Sequence, residues 1–171
     1  MEGVGASRPR PQGYQQPVEI SLQEAYTGTT RQIQSDGRRV RVRIPAGVRT
    51  GSKVRVAGAG PQGLDLYLVV DIPHDERFER EGSDLHTSAT IDVFTAILGG
   101  EAEVETPVGK VKLTIPAGTQ PGQVFRLAGR GMPMVKDPQV KGNLFVRLKI
   151  QIPRHLSARQ RQLLEEVSRI K

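Results

Sequence analysis

Apolar and charged side chains alternate along several short stretches of this chain, as they do in strands that bury one face. The stretch VRVRI at 40–44 shows this pattern, and VKLTI at 111–115 repeats it. Proline cannot donate to a β-ladder, so Pro45 and Pro116 end these two strands. The stretch LYLVV at 66–70 is apolar throughout, which predicts a strand covered on both faces. The pattern therefore predicts a mainly β chain.

The same pattern occurs twice, at a constant offset of 71 residues. Apolar residues, glycines and prolines stay in step without a gap from Ile20 to Gly60. The motif IPAG at 44–47, for instance, returns unchanged at 115–118. The second copy then gains residues between Met132 and Gly142 before register returns. Two copies are too few for a solenoid, so the repeat predicts two tandem domains of one fold.

Each copy also contains a signal for a short helix near its start. Ser21 with Glu24 three residues later is a capping-box pattern, which predicts a helical turn that ends near Gly28. Asp92 and Gly99 bracket the matching turn of the second copy. The two opening strands are therefore each followed by one short helix.

The C-terminus changes to a helical period. The segment 157–160 is a second capping box, and apolar residues follow it at helical spacing. These residues are Leu163, Val167 and Ile170, with Leu164 beside them. They predict a short amphipathic helix whose apolar stripe packs either on its own domain or on another copy of the chain.

The composition narrows the class of protein. There are 25 Lys and Arg residues against 18 Asp and Glu, and this net charge of +7 fits nucleic acid, anionic membranes or acidic peptides as partners. Only 36% of residues are hydrophobic, which favours two thin cores over one large core. Without cysteine there are no disulfides and no thiolate zinc sites. No apolar run reaches the roughly 18 residues that span a bilayer, and the N-terminus has no secretory h-region. We therefore expect a cytoplasmic protein without a membrane partner.

No constellation of catalytic residues stands out. His74, His86 and His155 lie far apart and share no metal-ligand spacing. The pair SD at 83–84 lacks the strand–turn–helix setting of a nucleophile, and the acidic cluster at 75–84 is typical of a solvated linker. The glycine-rich stretch at 58–63 is followed by no helix that could bind a phosphate. We therefore expect no enzyme activity, no metal and no cofactor.

Taken together, the motifs resemble the C-terminal region of the DnaJ family of co-chaperones. The resemblance rests on VEISLQEAYTG at 18–28, IPAG in both copies, DLY at 65–67 before a proline-ended strand, PHDERFEREGSDL at 73–85 and AILGG at 96–100. It extends from residue 17 to about residue 168. The family's J domain, with its His-Pro-Asp motif, is not found in this sequence. The lack of cysteine is similar to the subclass without a zinc module.

This resemblance implies an all-β fold of two tandem, similar β-sandwich domains followed by a short C-terminal amphipathic helix. We expect a flexible tail at 1–16, a first, client-binding domain at 17–84, a second domain at 85–155 and a dimerisation helix at 156–171. The implied function is to bind exposed apolar segments of unfolded polypeptides. In the intact protein these clients would be delivered to an Hsp70-type chaperone (DnaK) in the heat-shock response. The implied homodimer forms through Leu163, Leu164, Val167 and Ile170.

Mapped by motif, the family's client groove lies between the opening strands of the first domain. Its predicted lining is Val18, Ile20, Arg31, Ile33 and Phe78. A groove beside a sheet edge offers main-chain hydrogen bonds to an extended peptide and pockets for its alternate side chains. An ordinary core role is the alternative for the aliphatic members, and it is favoured for Ile20. Ser35, at a position where an apolar wall would be expected, counts against the groove.

Two other functions remain open. Arginines at 31, 38, 39, 41 and 43 make the first domain basic, which fits nucleic acid or acidic peptides. A solvated strand face is the alternative, and it is favoured for Arg41 and Arg43. No aromatic residue is interleaved with the arginines to stack on bases, so we do not expect nucleic-acid binding. The third function is a scaffold whose C-terminal helix does the binding. Salt separates the first two, because phosphate binding weakens steeply with salt and apolar binding does not.

Overall fold

A computed structural model describes residues 13–171. Strands make up 44% of it and helices 17%, so the predicted all-β class with a C-terminal helix is confirmed. The first copy comprises β1 (Tyr14–Glu19), α1 (Leu22–Thr27), β2 (Thr29–Ser35), β3 (Arg38–Ile44), β4 (Lys53–Val56) and β5 (Leu66–Asp71). There follow β6 (Glu79–Glu81), β7 (Asp84–Asp92), α2 (Val93–Leu98), β8 (Gly100–Thr106), β9 (Gly109–Ile115), β10 (Val124–Leu127), β11 (Leu144–Gln151) and α3 (Ala158–Arg169).

The repeat seen in the sequence is also a structural repeat. α1, β2, β3 and β4 return as α2, β8, β9 and β10, each with the same bounds shifted by 71 residues. The hairpin registers match as well, because Ile33 pairs with Val40 in one and Val104 with Val111 in the other. The prediction of a repeated fold is therefore confirmed at the level of individual strands.

The described chain divides into two units. One runs to Leu85 and includes Ala128–Asn143, and the other comprises His86–Leu127 and Leu144–Lys171. In the first unit β5 lies between β1, which is parallel to it, and β4, which is antiparallel, while β2 and β3 form a separate hairpin. The later strands form a sheet in the order β10-β11-β7-β6 and a second hairpin, β8 with β9.

Each unit has its own small core. The first is built on Ile20, Ile44, Leu66, Leu68 and Val70, all buried. The second is built on Val104, Ile115, Leu144, Val146 and Leu148, also buried. The predicted strand at 66–70 is present, but its burial alternates, with the side chains at 67 and 69 only partly covered. The reason is that β5 is the centre of an open three-stranded sheet, whose second face is less deeply covered.

The predicted helix caps are present. The Ser21 hydroxyl accepts a hydrogen bond from the Glu24 N–H at 3.0 Å, and the Glu24 carboxylate accepts one from the Ser21 N–H at 3.2 Å. In the second copy the Asp92 carboxylate accepts from the Phe94 N–H at 2.7 Å. Gly99 ends α2 with a φ of 83°, in the left-handed region that suits glycine. Local sequence chemistry therefore sets the bounds of both short helices.

The residues that the second copy gains pack in the first unit. Met132 is fully buried, and its N–H donates to the Ser83 carbonyl at 2.8 Å. The Asn143 N–H donates to the Asp84 carboxylate at 2.8 Å. Lys141 donates to the Tyr26 hydroxyl at 2.8 Å. The segment 128–143 is thus part of the first unit, although it lies in the second copy along the chain.

The sequence-based domain bounds, 17–84 and 85–155, did not include this grouping, and they remain predictions. The predicted tail at 1–16 overlaps β1, because Tyr14, Gln15 and Gln16 pair with Leu66, Tyr67 and Leu68. Backbone pairing recruits these polar residues into a strand that shows no apolar alternation. The rest of the predicted tail, 1–12, lies outside the described residues.

Candidate functional site

The strand β1 is an edge strand. It pairs with β5 on one side only, in the order β1-β5-β4. The hairpin β2–β3 has only two strands, so each of its members also has an unpaired edge among the described residues. Unpaired strand edges can accept an extended peptide as an additional strand. The sequence-based prediction places the client groove at two of these open edges, those of β1 and β2.

The backbone of β1 presents a defined set of hydrogen-bonding groups at its open edge. The Tyr14 N–H donates to the carbonyl of Asp65, just before β5, at 2.9 Å, and the Ile20 N–H donates to the carbonyl of Asp71 at the end of β5, at 3.0 Å. In a parallel pair every second residue bonds to the neighbouring strand, so Gln15, Pro17 and Glu19 face the other way. Pro17 has no N–H, so the open edge of β1 offers two amide donors, Gln15 and Glu19, with a gap between them at Pro17.

The inner face of β2 carries two polar atoms without partners. Arg31, Ile33 and Ser35 lie on the same face of the strand, because side chains alternate along it. The buried Nε of Arg31 and the buried hydroxyl of Ser35 have no hydrogen-bond partner among the described residues. Buried polar groups are nearly always hydrogen-bonded, so the two unpartnered groups that flank Ile33 are exceptions among the described residues.

A network around Glu24 fixes the position of Arg31. One terminal nitrogen of Arg31 lies 2.6 and 2.8 Å from the two Glu24 carboxylate oxygens. The hydroxyl of Thr29 donates to the same carboxylate at 2.9 Å. Burial raises the pKa of Glu24, but hydrogen bonds from the Ser21 N–H, Thr29 and Arg31 outweigh it and hold that pKa below its ordinary value of 4.5. Glu24 is therefore ionised at neutral pH and orients Arg31.

A cleft of about 280 Å³ opens at the end of β1. Glu19 and Ile20 line it from the β1 side, Arg31 from β2, and 73–75 from the loop after β5. The start of α1 completes it. This smaller cleft brings two of the predicted groove residues together, Ile20 and Arg31.

A larger cleft of about 480 Å³ shares part of this lining. Its apolar wall contains Leu22, Ile72 and Phe78. Phe78 is buried, and the guanidinium carbon of Arg77 lies 5.2 Å from the centre of its ring. Arg77 is held in turn by Asp75, whose carboxylate accepts from the Arg77 N–H at 2.8 Å. Burial raises the pKa of Asp75, but the hydrogen bonds from Arg77 outweigh it and leave that pKa lowered.

Arg80 forms the polar wall of the larger cleft. Its terminal nitrogens donate to the carbonyls of Val48 at 2.7 Å and Gly47 at 3.0 Å, and its Nε donates to the Gly82 carbonyl at 2.9 Å. Burial, with a smaller contribution from neighbouring Arg49, lowers the pKa of Arg80 to about 10. The side chain stays charged at neutral pH and fastens the turn after β3.

The five predicted groove residues therefore fall into three positions. Ile20 and Arg31 line the smaller cleft, and Phe78 lines the larger one. Val18 and Ile33 line neither of these two clefts, and each is 8% exposed, at the margin of the core. The groove formed by all five residues stays a prediction, in which Val18 and Ile33, at the margin of the core, form the floor.

Sequence reasoning missed the polar members of the larger cleft. Arg49, Thr50 and Arg80 were not singled out, although Ile72 and Pro73 beside them end the first copy of the repeat. Arginines in a turn and a linker carry no periodic signal, so only the folded backbone reveals that Arg80 meets two carbonyls of a distant turn. The position of Ser35 was noted, but not that its hydroxyl is unpartnered.

The outer face of the first hairpin is strongly basic. Arg39, Arg41 and Arg43 are exposed on alternate positions of β3, and their cross-strand partners are Gln34, Gln32 and Thr30. The second hairpin instead pairs Glu105 with Lys110 and Glu103 with Lys112. The two copies thus share a backbone and differ in the charge of this face.

The predicted dimerisation residues lie on α3. Its capping box is formed, since the Ser157 hydroxyl accepts from the Gln160 N–H at 3.1 Å. Leu163, Val167 and Ile170 are exposed, and Leu164 is half-buried. No residue of the helix is buried, so its apolar stripe is uncovered within the described chain.

Other classes of site find little support in the described residues. No group of three His, Asp or Glu side chains at 13–171 lies close enough to hold a metal ion. Across the same span, none of the helices has the length and apolar character needed to cross a bilayer.

The comparisons with known proteins agree on one family. The family model described as the DnaJ C terminal domain matches residues 14–153. The chain is 40% identical over 163 residues to the "Chaperone protein DnaJ" of Deinococcus proteolyticus, covering 95% of this chain and 52% of that protein. It is 42% identical over 143 residues to the protein of that name from Chelativorans sp., covering 80% and 38%. The corresponding protein of Bartonella quintana is 40% identical over 148 residues, covering 82% and 39%. The chain thus spans about half or less of the length of these relatives.

Proposed function

This chain belongs to the DnaJ family through its C-terminal domain, and from that membership we propose that it binds exposed apolar segments of unfolded polypeptides. The observation that carries the proposal is the pair of unpartnered buried polar atoms, Arg31 Nε and Ser35 Oγ, on either side of Ile33. An extended peptide laid along this strand has backbone carbonyls for the Arg31 donor and amides for the Ser35 hydroxyl.

The open edge of β1 supplies the other half of the binding mode. A guest strand receives amide hydrogen bonds from Gln15 and Glu19, while its side chains meet the aliphatic surface at Val18 and Ile33. Each fully buried contact of this size contributes about 1.5–3 kcal/mol. These two side chains are already mostly covered, so the gain is smaller and binding to one site is weak. Weak binding to many sequences suits a chaperone.

A homodimer raises the effective strength of such weak sites. We propose that α3 pairs with α3 or with another surface of a second copy, because its stripe of Leu163, Val167 and Ile170 is uncovered. Two linked copies present each site twice, and an extended client can then contact more than one site at a time. Delivery of clients to an Hsp70-type chaperone (DnaK) in the cytoplasm, without catalysis by this chain, belongs to the same proposal.

The test is a titration of the chain with a fluorescently labelled, extended apolar peptide, at low and at moderate salt. We expect binding that persists in moderate salt, because apolar contacts and neutral hydrogen bonds carry it. Ile33→Asp places a charge at the margin of the core and should abolish binding. The matched control is Gln32→Asp, which adds the same charge on the exposed face of the same strand.

Ile33→Asp can also unfold the first unit, so a second variant keeps the test decisive. Ser35→Ala removes the hydroxyl and adds no atom to this buried position, and circular dichroism verifies the fold. We expect it to weaken peptide binding severalfold, since one hydrogen bond contributes about 0.5–1.5 kcal/mol. Full affinity in both Ile33→Asp and Ser35→Ala would exclude this face of β2 as the site.

A second function is favoured by one observation, the uncompensated row of Arg39, Arg41 and Arg43. Side chains on one face of a strand repeat about every 6.6–6.8 Å, close to the spacing of successive phosphates or acidic side chains on an extended chain. A single-stranded nucleic acid would bind here with a steep dependence on salt. Salt-sensitive retention on single-stranded nucleic acid, together with no peptide binding in either buffer, would establish this function instead.

A further inference from the structure

One face of the sheet in the second unit carries a group of positive charges. β10 pairs with β11 so that Arg126 lies opposite Phe145 and Val124 lies opposite Arg147. Because side chains alternate along a strand, Phe145, Arg147 and Lys149 lie on the same face as Arg126. The intervening side chains of β11 at 144, 146 and 148 are buried, whereas the three cations are exposed. The cations therefore lie on the solvent side of this sheet.

Two aromatic rings stack on the same face. The rings of His86, on β7, and Phe145 have centroids 5.1 Å apart and planes inclined by 16°. Phe145 is half-buried and His86 is exposed, so the imidazole is the more accessible ring of the pair. We name this surface the cationic sheet face and define it by His86, Arg126, Phe145, Arg147 and Lys149.

The cations of this face are paired with no carboxylate of the described chain. The side chains of Arg126 and Lys149 form no hydrogen bond or ion pair with a described residue, and Arg147 donates only to the neutral carbonyl of Gly122, at 3.3 Å. Asp92, at the end of β7, uses its carboxylate to cap α2. The two glutamates of β6 lie on the edge strand opposite β10. Positive charge is therefore concentrated on β10 and β11.

The first copy shows that the fold does not require this charge. Its strands β4 and β5 pair in the same register as β10 and β11, and the equivalent face carries the cations Lys53 and Arg55. Arg55 is neutralised there, because its Nε donates to the Asp65 carboxylate at 2.8 Å. Two further carboxylates, those of Glu19 and Asp71, lie on paired positions of β1 and β5. The first copy thus sets three carboxylates against two cations.

The second copy has lost all three carboxylates. Two of the positions are neutral and one is basic, and the residues there are Thr90, Asn143 and Lys149. A further change places Arg147 where the first copy has the uncharged Val69. The positive charge of the second face is therefore a property of its side chains and not of the backbone that the two copies share.

Single-stranded nucleic acid has the negative charges and the flat rings that complement this face. Alternate residues on one face of a strand are about 6.6–6.8 Å apart, so Arg147 and Lys149 can contact different phosphates of an extended strand. A base can stack on the exposed ring of His86, a contact that the carboxylates of an acidic polypeptide do not offer. We propose that the cationic sheet face binds single-stranded nucleic acid.

This site differs from the client groove and from the basic row on the first hairpin. The groove residues all belong to the first unit, so the proposal does not rest on the proposed function. The sequence-based expectation against nucleic acid was drawn from the hairpin arginines, which have no interleaved aromatic residue. The stacked pair of the second unit joins β7 to β11, and these strands are far apart along the chain. Only the folded chain brings its rings and cations together.

The experiment is a fluorescence-anisotropy titration of the full chain with labelled oligothymidylate or oligouridylate of about 12 nucleotides, at several salt concentrations. The test variant combines Arg126→Gln, Arg147→Gln and Lys149→Gln, which change only exposed side chains. We expect it to bind more weakly than the parent. The slope of log affinity against log salt should also be less steep by roughly 2, since each phosphate contact with a single strand contributes about 0.7.

The matched control removes the same charge from exposed positions outside this face and should keep the parent slope. It combines Lys110→Gln, Lys112→Gln and Lys136→Gln. His86→Ser tests the stacking contact and should weaken binding about tenfold, because the ring on which a base stacks is lost. His155→Ser, which removes an exposed imidazole outside the sheet, should leave binding unchanged. Circular dichroism verifies the fold of each variant.

The outcomes separate this site from its rivals. Salt-sensitive binding that weakens in the test variant and in His86→Ser supports it, and the tighter of the two oligonucleotides identifies DNA or RNA as the source. Parent affinity in the test variant, with binding lost instead in Arg39→Gln, Arg41→Gln and Arg43→Gln, would assign nucleic acid to the first hairpin and overturn the inference. An absence of oligonucleotide binding at low salt would also overturn it.

Polyglutamate serves as the competitor that stands for an acidic polypeptide. If it displaces the oligonucleotide at an equal concentration of charge, and His86→Ser binds like the parent, the partner is an acidic polypeptide and the inference is refuted. Titration of the same variants with the labelled apolar peptide tests the client groove separately. Unchanged peptide binding in these variants leaves the proposed function intact, whichever result the oligonucleotides give.

Discussion

Pro17 lies at the middle of the open edge of β1, between two residues whose amides face the same way. Its missing N–H leaves a gap in the row of donors, and this gap weakens the hold on a guest strand. At the proposed client site, the affinity is therefore set in part by backbone chemistry, independently of the apolar walls.

This gives a prediction on two backbone positions. Pro17→Ala adds a donor, so a labelled apolar peptide should bind about threefold to tenfold more tightly. Glu19→Pro removes one and should weaken binding by a similar factor. Glu19→Ala is the control, because it changes the side chain and keeps the N–H. Fluorescence anisotropy measures the dissociation constant of the peptide for each of the three variants and for the parent chain. Equal affinities of Glu19→Pro and Glu19→Ala would show that this edge donates nothing to the guest.

A second residue-scale prediction compares the two turn glycines. Gly47→Ala and Gly118→Ala each place a β-carbon at positive φ, at a cost of about 1–2 kcal/mol. At Gly47 the new carbon also overlaps the Pro133 backbone, which adds about 1–3 kcal/mol. Urea unfolding should therefore show Gly47→Ala to be the more destabilised variant. Equal losses of unfolding free energy would mean that residues 133–135 do not lie on the turn in solution.

The third residue-scale prediction concerns pH. The pKa of Glu24 lies below its ordinary 4.5 in the folded chain, so its network adds stability above that value and loses it as the pH falls through the lowered pKa. Glu24→Gln should therefore be less stable than the parent at about pH 7, and this difference in unfolding free energy should be smaller at about pH 3. Denaturant unfolding of both chains at the two pH values measures their free energies of unfolding. Glu103→Gln, on an exposed hairpin, should change little at either pH.

At the scale of elements, the sequence predicted what local chemistry decides. The capping boxes and the proline-ended strands depend on residues within a few positions of each other, and they are present as predicted. The docking of Lys141 on Tyr26 depends on residues far apart in sequence. No periodicity in the sequence encodes that contact, so it could be found only in the folded chain.

The helix α3 carries the element-scale prediction. Leu163→Asp with Val167→Asp places charges on its uncovered stripe, and we expect a mass in analytical ultracentrifugation half that of the parent chain. Gln162→Asp with Ser168→Asp adds the same charges on the opposite side of the helix and should leave the mass unchanged. A parent chain that sediments as a monomer, or a double variant that keeps the parent mass, would rule out α3 as the interface.

At the scale of the whole molecule, the chain passes between its two units three times, after Leu85, Leu127 and Asn143. The repeat predicted two domains because its signal is linear along the sequence. The assignment of 128–143 to the first unit is three-dimensional, since it rests on the burial of Met132 and on hydrogen bonds to Ser83 and Asp84. A repeat along the sequence does not show that a segment of the second copy packs in the first unit.

The corresponding prediction uses hydrogen exchange in the full chain. Replacing residues 134–140 by a short Gly-Ser turn removes Met134 and Val135, whose backbone lies on Gly47, and keeps the flanking strands. The Gly47 amide, bonded to the Ala25 carbonyl, should then exchange faster. The Gly118 amide, which makes the same bond in the second copy, should exchange as before. Unchanged protection at Gly47 would contradict a stabilising role of this segment.

The interrupted edge of β1 has one further consequence. A strand that pairs along its whole length can recruit identical strands without limit, which is how fibrils grow. An edge that lacks a donor at its centre holds a guest by its two ends and offers no continuous ladder for copies of itself to stack on. In the proposed function, such an edge lets the chain bind aggregation-prone polypeptides repeatedly without becoming a seed for their aggregation.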